Sequence, residues 1–186
     1  MKLALDGDFL VSSSPADTYR FLTSPERFAP LLPMFKELKN VESDAFEVVM
    51  EVGVPQIKGK AQVQVRFREK VEAERASLTS QVRHALGMAD AQLAFLLAPY
   101  HEGTRVRWTC DSTVRGTLAS VASGILSPLA KKNVKAMIAS VQNELGALEA
   151  PPEAADVTAE SEGASAKKSL GERMASWVGR TKKEQA

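Results

Sequence analysis

At 186 residues, with 24 Lys and Arg against 23 Asp and Glu, the chain is the size of one ordinary domain with a short tail to spare, and its formal charge of +1 gives no reason to expect a nucleic-acid partner. A single cysteine, Cys110, excludes a disulfide framework within one chain, and no His or Cys cluster has zinc-like spacing, so no metal site is expected and a reducing compartment is. No run approaches the roughly 18 apolar residues of a spanning helix, and the Met1–Val11 segment, interrupted by Asp6 and Asp8, does not read as a signal peptide. The expected location is therefore cytoplasmic.

The first elements to declare themselves are two short helices. Ser14-Pro15-Ala16-Asp17 sets a capping hydroxyl, a proline at the first helical position and an acid in the first turn ahead of Tyr19 and Leu22. Ser24-Pro25-Glu26-Arg27 repeats the pattern before Phe28, Leu31 and Leu32, and Pro30 and Pro33 keep this second helix brief. Strands follow. Phe46, Val48, Met50 and Val52 alternate with Glu47 and Glu51, and Ile57, Ala61, Val63, Val65 and Phe67 oppose Lys58, Lys60, Gln62, Gln64, Arg66 and Arg68. Such alternation gives one dry and one wet face. Ala76, Leu78, Ser80 and Val82 keep the period, an apolar run covers Met88 to Ala98, and Val106, Trp108, Cys110, Ser112 and Val114 share one side of the last strand. Short turns such as His101-Glu102-Gly103 make the sheet antiparallel and curved.

From Leu118 to Leu148 the spacing turns helical, with Leu118, Val121, Ile125 and Leu129 and then Met137, Val141, Leu145 and Leu148 on one stripe. Pro128, with Gly124 one turn earlier, predicts a bend. Pro151-Pro152 ends the helix, and residues 150–166 read as a flexible acidic linker. Residues 167–186 read as a basic tail: Ser169 and Glu172 fit a capping box, and Leu170, Met174, Trp177 and Val178 then cover an arc of roughly 100° on a helix. Lys167, Lys168, Arg173, Arg180, Lys182 and Lys183 surround that arc, the pattern of a helix lying in a bilayer interface.

One strand, two short helices, six strands and a long helix make a helix-grip, START-like arrangement, an α+β fold of about seven strands over residues 1–149. The stretch Trp108-Thr-Cys-Asp-Ser-Thr-Val-Arg-Gly116, running into Leu118-Ala-Ser-Val-Ala-Ser and on to Ala130-Lys131-Lys132, resembles the carbon monoxide dehydrogenase G-subunit family of the SRPBCC superfamily. Gly53-Val-Pro-Gln-Ile-Lys-Gly59-Lys60 and the segment from Ser14 to Pro33 are similar too. One departure bears on loop shape: the family usually has a glycine after the Leu-Pro of the front loop, and here Met34 follows Pro33. The resemblance implies a domain that binds hydrophobic ligands and, in carbon monoxide dehydrogenase systems, a membrane-associated accessory protein. That protein would carry a quinone between the bilayer and a molybdenum hydroxylase, on the inner face of the cell membrane.

The expected ligand-binding residues are Phe28, Leu32, Met50, Val63, Val65, Phe67, Leu78, Gln92, Trp108, Cys110, Val121, Ile125 and Leu129, with Gln92 and Ser80 as orienting polar groups. The cargo would be menaquinone, ubiquinone or another isoprenoid lipid, with no covalent cofactor. No catalytic residue is expected: His84 and His101 are the only histidines, Cys110 faces inward as a structural thiol, and Asp90 is the one carboxylate with a chance of pointing inward. Two other readings share the fold, a polyketide cyclase or aromatase and a protein-interaction module with a filled core. Lys131, Lys132 and Lys135 cluster on the long helix, a solvated face or a contact for acidic lipid or protein.

Overall fold

A computed structural model describes residues 1–54, 57–121, 124–148 and 159–160. The chain runs β1 (Lys2–Val11), α1 (Pro15–Leu22), α2 (Pro25–Phe28), one 3-10 turn (Ala29–Leu31), β2 (Phe35–Lys39), β3 (Ala45–Val54), β4 (Ile57–Val71), β5 (Arg75–His84), β6 (Gly87–Tyr100), β7 (Gly103–Arg115), α3 (Thr117–Val121) and α4 (Leu126–Leu145). A two-residue strand, β8 (Ala159–Glu160), follows. All strands form one sheet in the order β2-β3-β4-β5-β6-β7-β1-β8, and every neighbouring pair is antiparallel. The order of seven strands, two short helices and a C-terminal helical region is the one expected, and β3 to β7 lie where the alternation puts them, whereas β1 and the five-residue β2 follow from the expected strand order alone.

Local chemistry accounts for the front helices. The Ser14 hydroxyl accepts from the Asp17 backbone N–H at 3.2 Å, and Pro15 occupies the first helical position. Ser24 differs from the expected cap: its hydroxyl donates to the Glu26 carboxylate at 3.1 Å rather than accepting from the helix. Bulges where β2 and β4 shift register, between Phe35 and Glu37 and between Phe67 and Glu69, bend the sheet.

The expected single helix is two. Residues 124 and 125 form a turn between α3 and α4, so the break precedes Pro128 rather than centring on it. Pro128 is the third residue of α4, within the first turn, where its missing N–H forfeits no intrahelical bond. The two residues of β8 pair with Ala4 and Leu5 of β1, so that part of the expected acidic linker is ordered against the sheet. The 151–158 segment and the expected tail helix lie outside the described residues.

The far end of α4 is clasped to β1. Leu145 presents its carbonyl to the hydroxyls of Ser12 (3.1 Å) and Ser13 (2.7 Å), and Gly146 presents its own to the Ser12 N–H (2.9 Å). The Gln142 amide donates to the Leu10 carbonyl at 2.9 Å. Val141 and Leu145 are the buried residues of α4, so the helix is sealed onto the sheet in its last two turns and only partly covers it before them.

Candidate ligand site on the concave face

The register lays the inward side chains out in transverse rows. Phe67, Leu78, Leu93, Cys110 and Leu5 stand opposite one another in turn, and next to them runs Phe46, Val65, Ser80, Ala91, Ser112 and Leu3. A third row holds Val48, Val63, Val82, Ala89 and Val114. The middle of the second row, Ser80 and Ala91, and Ala89 beside it in the third are small side chains. That produces a trough in the floor of the sheet.

Packing follows these rows. One core cluster gathers Phe46, Phe67, Phe95, Trp108, Val141 and Leu145, and a second gathers Ile57, Val114 and Leu118 at the end where β1 begins. Val82 and Ala91 belong to neither cluster and lie between them, with Ser80 and Ser112 facing Ala91 on either side. Leu3, Met50, Val63, Leu78, Leu93 and Cys110 point inward yet are only half-buried. Close-packed interiors leave inward positions on central strands little exposure. The concave face is thus not packed shut by α4, and its opening is apolar.

Few polar groups reach it. Ser112 donates its hydroxyl proton to the Leu3 carbonyl at 3.2 Å. The Ser80 hydroxyl is not taken up by any neighbour among the described residues. The Trp108 indole lies across Gly7 of β1, its N–H buried with no acceptor among the described residues.

Of the residues expected to bind ligand, Met50, Val63, Val65, Phe67, Leu78, Trp108 and Cys110 all lie on the inner face, and Phe28 and Leu32 pack half-buried against the main cluster as a front wall. Gln92 is a correction. It is exposed and alternates with the inward Ala91 and Leu93, so it projects from the outer face opposite Thr79 and Asp111. Asp90 is another: it shares that outer face, accepting from Gln81 at 3.2 Å and pairing with Arg115 at 2.9 Å. Ile125 and Leu129 are half-buried but join neither cluster, because the break before α4 resets the helical phase. Ala130, Val134, Ile138, Val141 and Leu145 make the packed stripe instead. Val121 lies in α3, its side chain outside the described residues.

Leu93 joins the site without a signal in the sequence, whereas Ser112 falls where the alternation of the last strand puts it. The β6 run from Met88 to Ala98 shows no clear period because its outer face is also apolar in places, with Ala94 and Leu96 buried there. Pairing register, not composition, brings Leu93 opposite Cys110.

Catalytic groups do not gather here. His84 is occupied in a turn: its Nδ1 accepts from the Leu86 N–H, so Nε2 carries the proton and donates to the Lys58 carbonyl, both at 3.2 Å. His101 adopts a left-handed turn conformation with its ring edge-on to Tyr100. No group of three metal-ligating side chains occurs among the described residues, nor is any described helix long and apolar enough to cross a membrane.

A curved antiparallel sheet gripping a C-terminal helix over an apolar trough defines a START-like, helix-grip domain of the hydrophobic-ligand-binding class. Solved structures share the fold. A conserved protein from Geobacillus kaustophilus superposes with a TM-score of 0.69 at 17% identity, over 78% of this chain and 95% of that one. Proteins from Chromobacterium violaceum (TM-score 0.53, 20% identity, 75% and 96% covered) and Thermus thermophilus (0.55, 15%, 76% and 96%) are similar in fold as well. No curated protein matches the chain in sequence. The family model for the carbon monoxide dehydrogenase G subunit, CoxG, matches residues 7–146, and the chain belongs to that family.

Proposed function

We propose that the domain is a non-catalytic carrier whose trough holds a quinone or another isoprenoid lipid, and that it moves this cargo between the bilayer and a carbon monoxide dehydrogenase-type molybdenum hydroxylase. The observation that carries the reading is the half-buried inner face of Leu3, Met50, Val63, Leu78, Leu93 and Cys110, interrupted only by hydroxyls near its centre. An isoprenoid chain gains free energy there at about 25 cal/mol per Å² of apolar surface removed from water. The free Ser80 hydroxyl is positioned to donate to a quinone carbonyl, which fixes the head group without any charge. The family name, a subunit of carbon monoxide dehydrogenase, supports that partner, since an accessory component would deliver an electron acceptor rather than perform the oxidation.

In this reading the basic, Trp-bearing 167–183 segment is a reversible anchor on the cytoplasmic membrane surface. Ala159 and Glu160 pair with β1, so the tether to the tail is residues 161–166, which reach about 12 to 15 Å as a coil and keep the domain close to the bilayer. A polyketide cyclase would need several polar groups on the inner face to hold and protonate its substrate. The inner rows offer hydroxyls and one indole N–H.

Native mass spectrometry of the protein made in bacteria tests the carrier. A co-purified quinone or lipid, or uptake of added menaquinone, is the expected result. A ligand-free protein that also ignores menaquinone overturns it. Removing residues 167–186 should weaken sedimentation with anionic liposomes at least tenfold; unchanged binding eliminates the anchor.

A further inference from the structure

The two ends of the sheet differ in charge. One end is formed where β1, β4 and β6 begin and β3, β5 and β7 finish. Beside Glu160 of β8, the last four residues on each long strand at this end carry Lys2, Lys58, Lys60, Arg83 and Arg115 against Glu51 and Asp90. Those two carboxylates are already engaged, Glu51 with Lys36 at 3.0 Å and Asp90 with Arg115 at 2.9 Å. Of the turns at this end, Ala85-Leu86 has no charge. At the opposite end the ends of the long strands carry Arg68, Lys70, Arg75 and Arg105 against Asp8, Glu47 and Glu69, and the turns add Glu42, Asp44, Glu72, Glu74 and Glu102, which makes that end acidic. Helix α4 repeats the asymmetry, with Lys131, Lys132 and Lys135 in its first half and Glu144 next to its last residue.

Within the basic end one row stands out. Gln62, Arg83, Met88 and Arg115 are cross-strand neighbours on the outer face, so an exposed methionine lies between two exposed arginines. Met88 is 39% exposed, unusual for a large apolar side chain among the described residues. Behind this lip lie Met1, Val52, Leu86 and Leu126, half-buried around the second core cluster, where α3 gives way to α4. The end of the domain where the long helix is broken is therefore the basic, apolar-tipped one.

We propose that this lip is the domain's own docking face for an anionic lipid bilayer, distinct from the C-terminal tail, and that it presents the trough's less sealed end to the membrane. Cations flanking an apolar side chain suit a headgroup layer, where phosphates meet the arginines and lysines while the thioether enters the acyl boundary. The acidic far end is repelled by the same surface, so the field of the whole domain sets one orientation. The proposal rests on the carrier reading only for why the domain visits a bilayer.

The test uses the full chain with its tail intact. In the triple variant Lys58→Gln, Lys60→Gln, Arg83→Gln, sedimentation with phosphatidylserine-containing vesicles should weaken by roughly a hundredfold, at about 1 kcal/mol per basic group near the surface. Unchanged binding by a folded variant overturns the proposal. A second measurement needs no charge removal. An environment-sensitive fluorophore on Met88→Cys, in a Cys110→Ser background, should shift blue on cargo-free anionic vesicles, whereas one on Glu102→Cys should not. A label at position 88 that stays aqueous, or responds instead to RNA or an acidic protein, overturns it. Neither readout involves cargo, so failure of the carrier reading leaves both intact.

Discussion

Ser80 of β5 stands directly opposite Ala91 of β6, a hydroxyl facing a methyl at the centre of the concave face, and Ala91 lies between the two core clusters. Small side chains at this crossing leave the space that a ligand would fill. Ala91→Phe distinguishes an open trough from a filled one. Overpacking a closed core costs about 1–3 kcal/mol, or several degrees of melting temperature in a domain of this size. With the trough open, the ring enters unoccupied space. The melting temperature should change by less than about 3 °C, within the shift that 1 kcal/mol produces, while menaquinone uptake by native mass spectrometry falls at least tenfold. Gln92→Ala, on the opposite face, should leave uptake unchanged.

The clasp at the end of α4 predicts a different sensitivity. Gly146 has φ of +81° and ψ of 130°, a region open essentially to glycine, and a Cβ there would collide with the Ser12 side chain. Gly146→Ala should destabilise by at least about 2 kcal/mol, from backbone strain plus loss of the Ser12 contacts. Chemical denaturation would measure it. Because the clasp is remote from Ser80, affinity for added quinone, measured well below the new melting temperature, should change little.

Much of the architecture is legible in the strand periodicity. Val63, Val65 and Phe67 alternate with Gln62, Gln64 and Arg66, and the structure puts the first set on the dry face. Periodicity loses force where both faces of a strand are apolar, which is why the Met88–Ala98 run puts Gln92 on the wrong side. It also fails where a helix changes phase. Ile125 and Leu129 fall on a stripe drawn through one continuous helix, whereas the turn at 124–125 starts a second one. The charge polarity of the sheet is invisible along the chain, since Lys2, Lys58, Arg83 and Arg115 meet only through antiparallel pairing.

At the acidic end, Lys70 makes a pH-dependent tie. Its Nζ reaches the Asp44 carboxylate at 2.6 Å and the Ser43 carbonyl at 2.9 Å, and it lies 5.3 Å from the Phe67 ring centroid. The hydrogen bond and charge of Lys70 hold the Asp44 carboxyl below its ordinary value. A depressed carboxylate contributes stability that is present above the unfolded value of about 3.9 and is lost as pH falls through the folded one. The stability difference between the parent and Lys70→Met should therefore be full at pH 6 and shrink below about pH 4. Urea melts across that range check it, and a difference that is flat with pH would assign the role of Lys70 to the Ser43 carbonyl and Phe67 ring.

Met34 occupies the front-loop position at which the family usually has glycine, and its φ is +65°, a left-handed conformation that a side chain disfavours. The conformation is held from outside: the Met34 carbonyl accepts from the Glu51 N–H at 2.9 Å, which ties the loop to β3. The backbone thus keeps the turn that glycine would adopt freely, at about 1–2 kcal/mol of local strain. Met34→Gly should release that strain but restore entropy to the unfolded chain, so the expected change is between neutral and about 1 kcal/mol of stabilisation. Met34→Val, β-branched at a positive φ, should destabilise by more than about 1 kcal/mol, on the order of the strain figure. Thermal melts of the pair test this directly. A glycine variant less stable than the parent would mean that the half-buried Met34 side chain contributes more by packing than its backbone loses by strain.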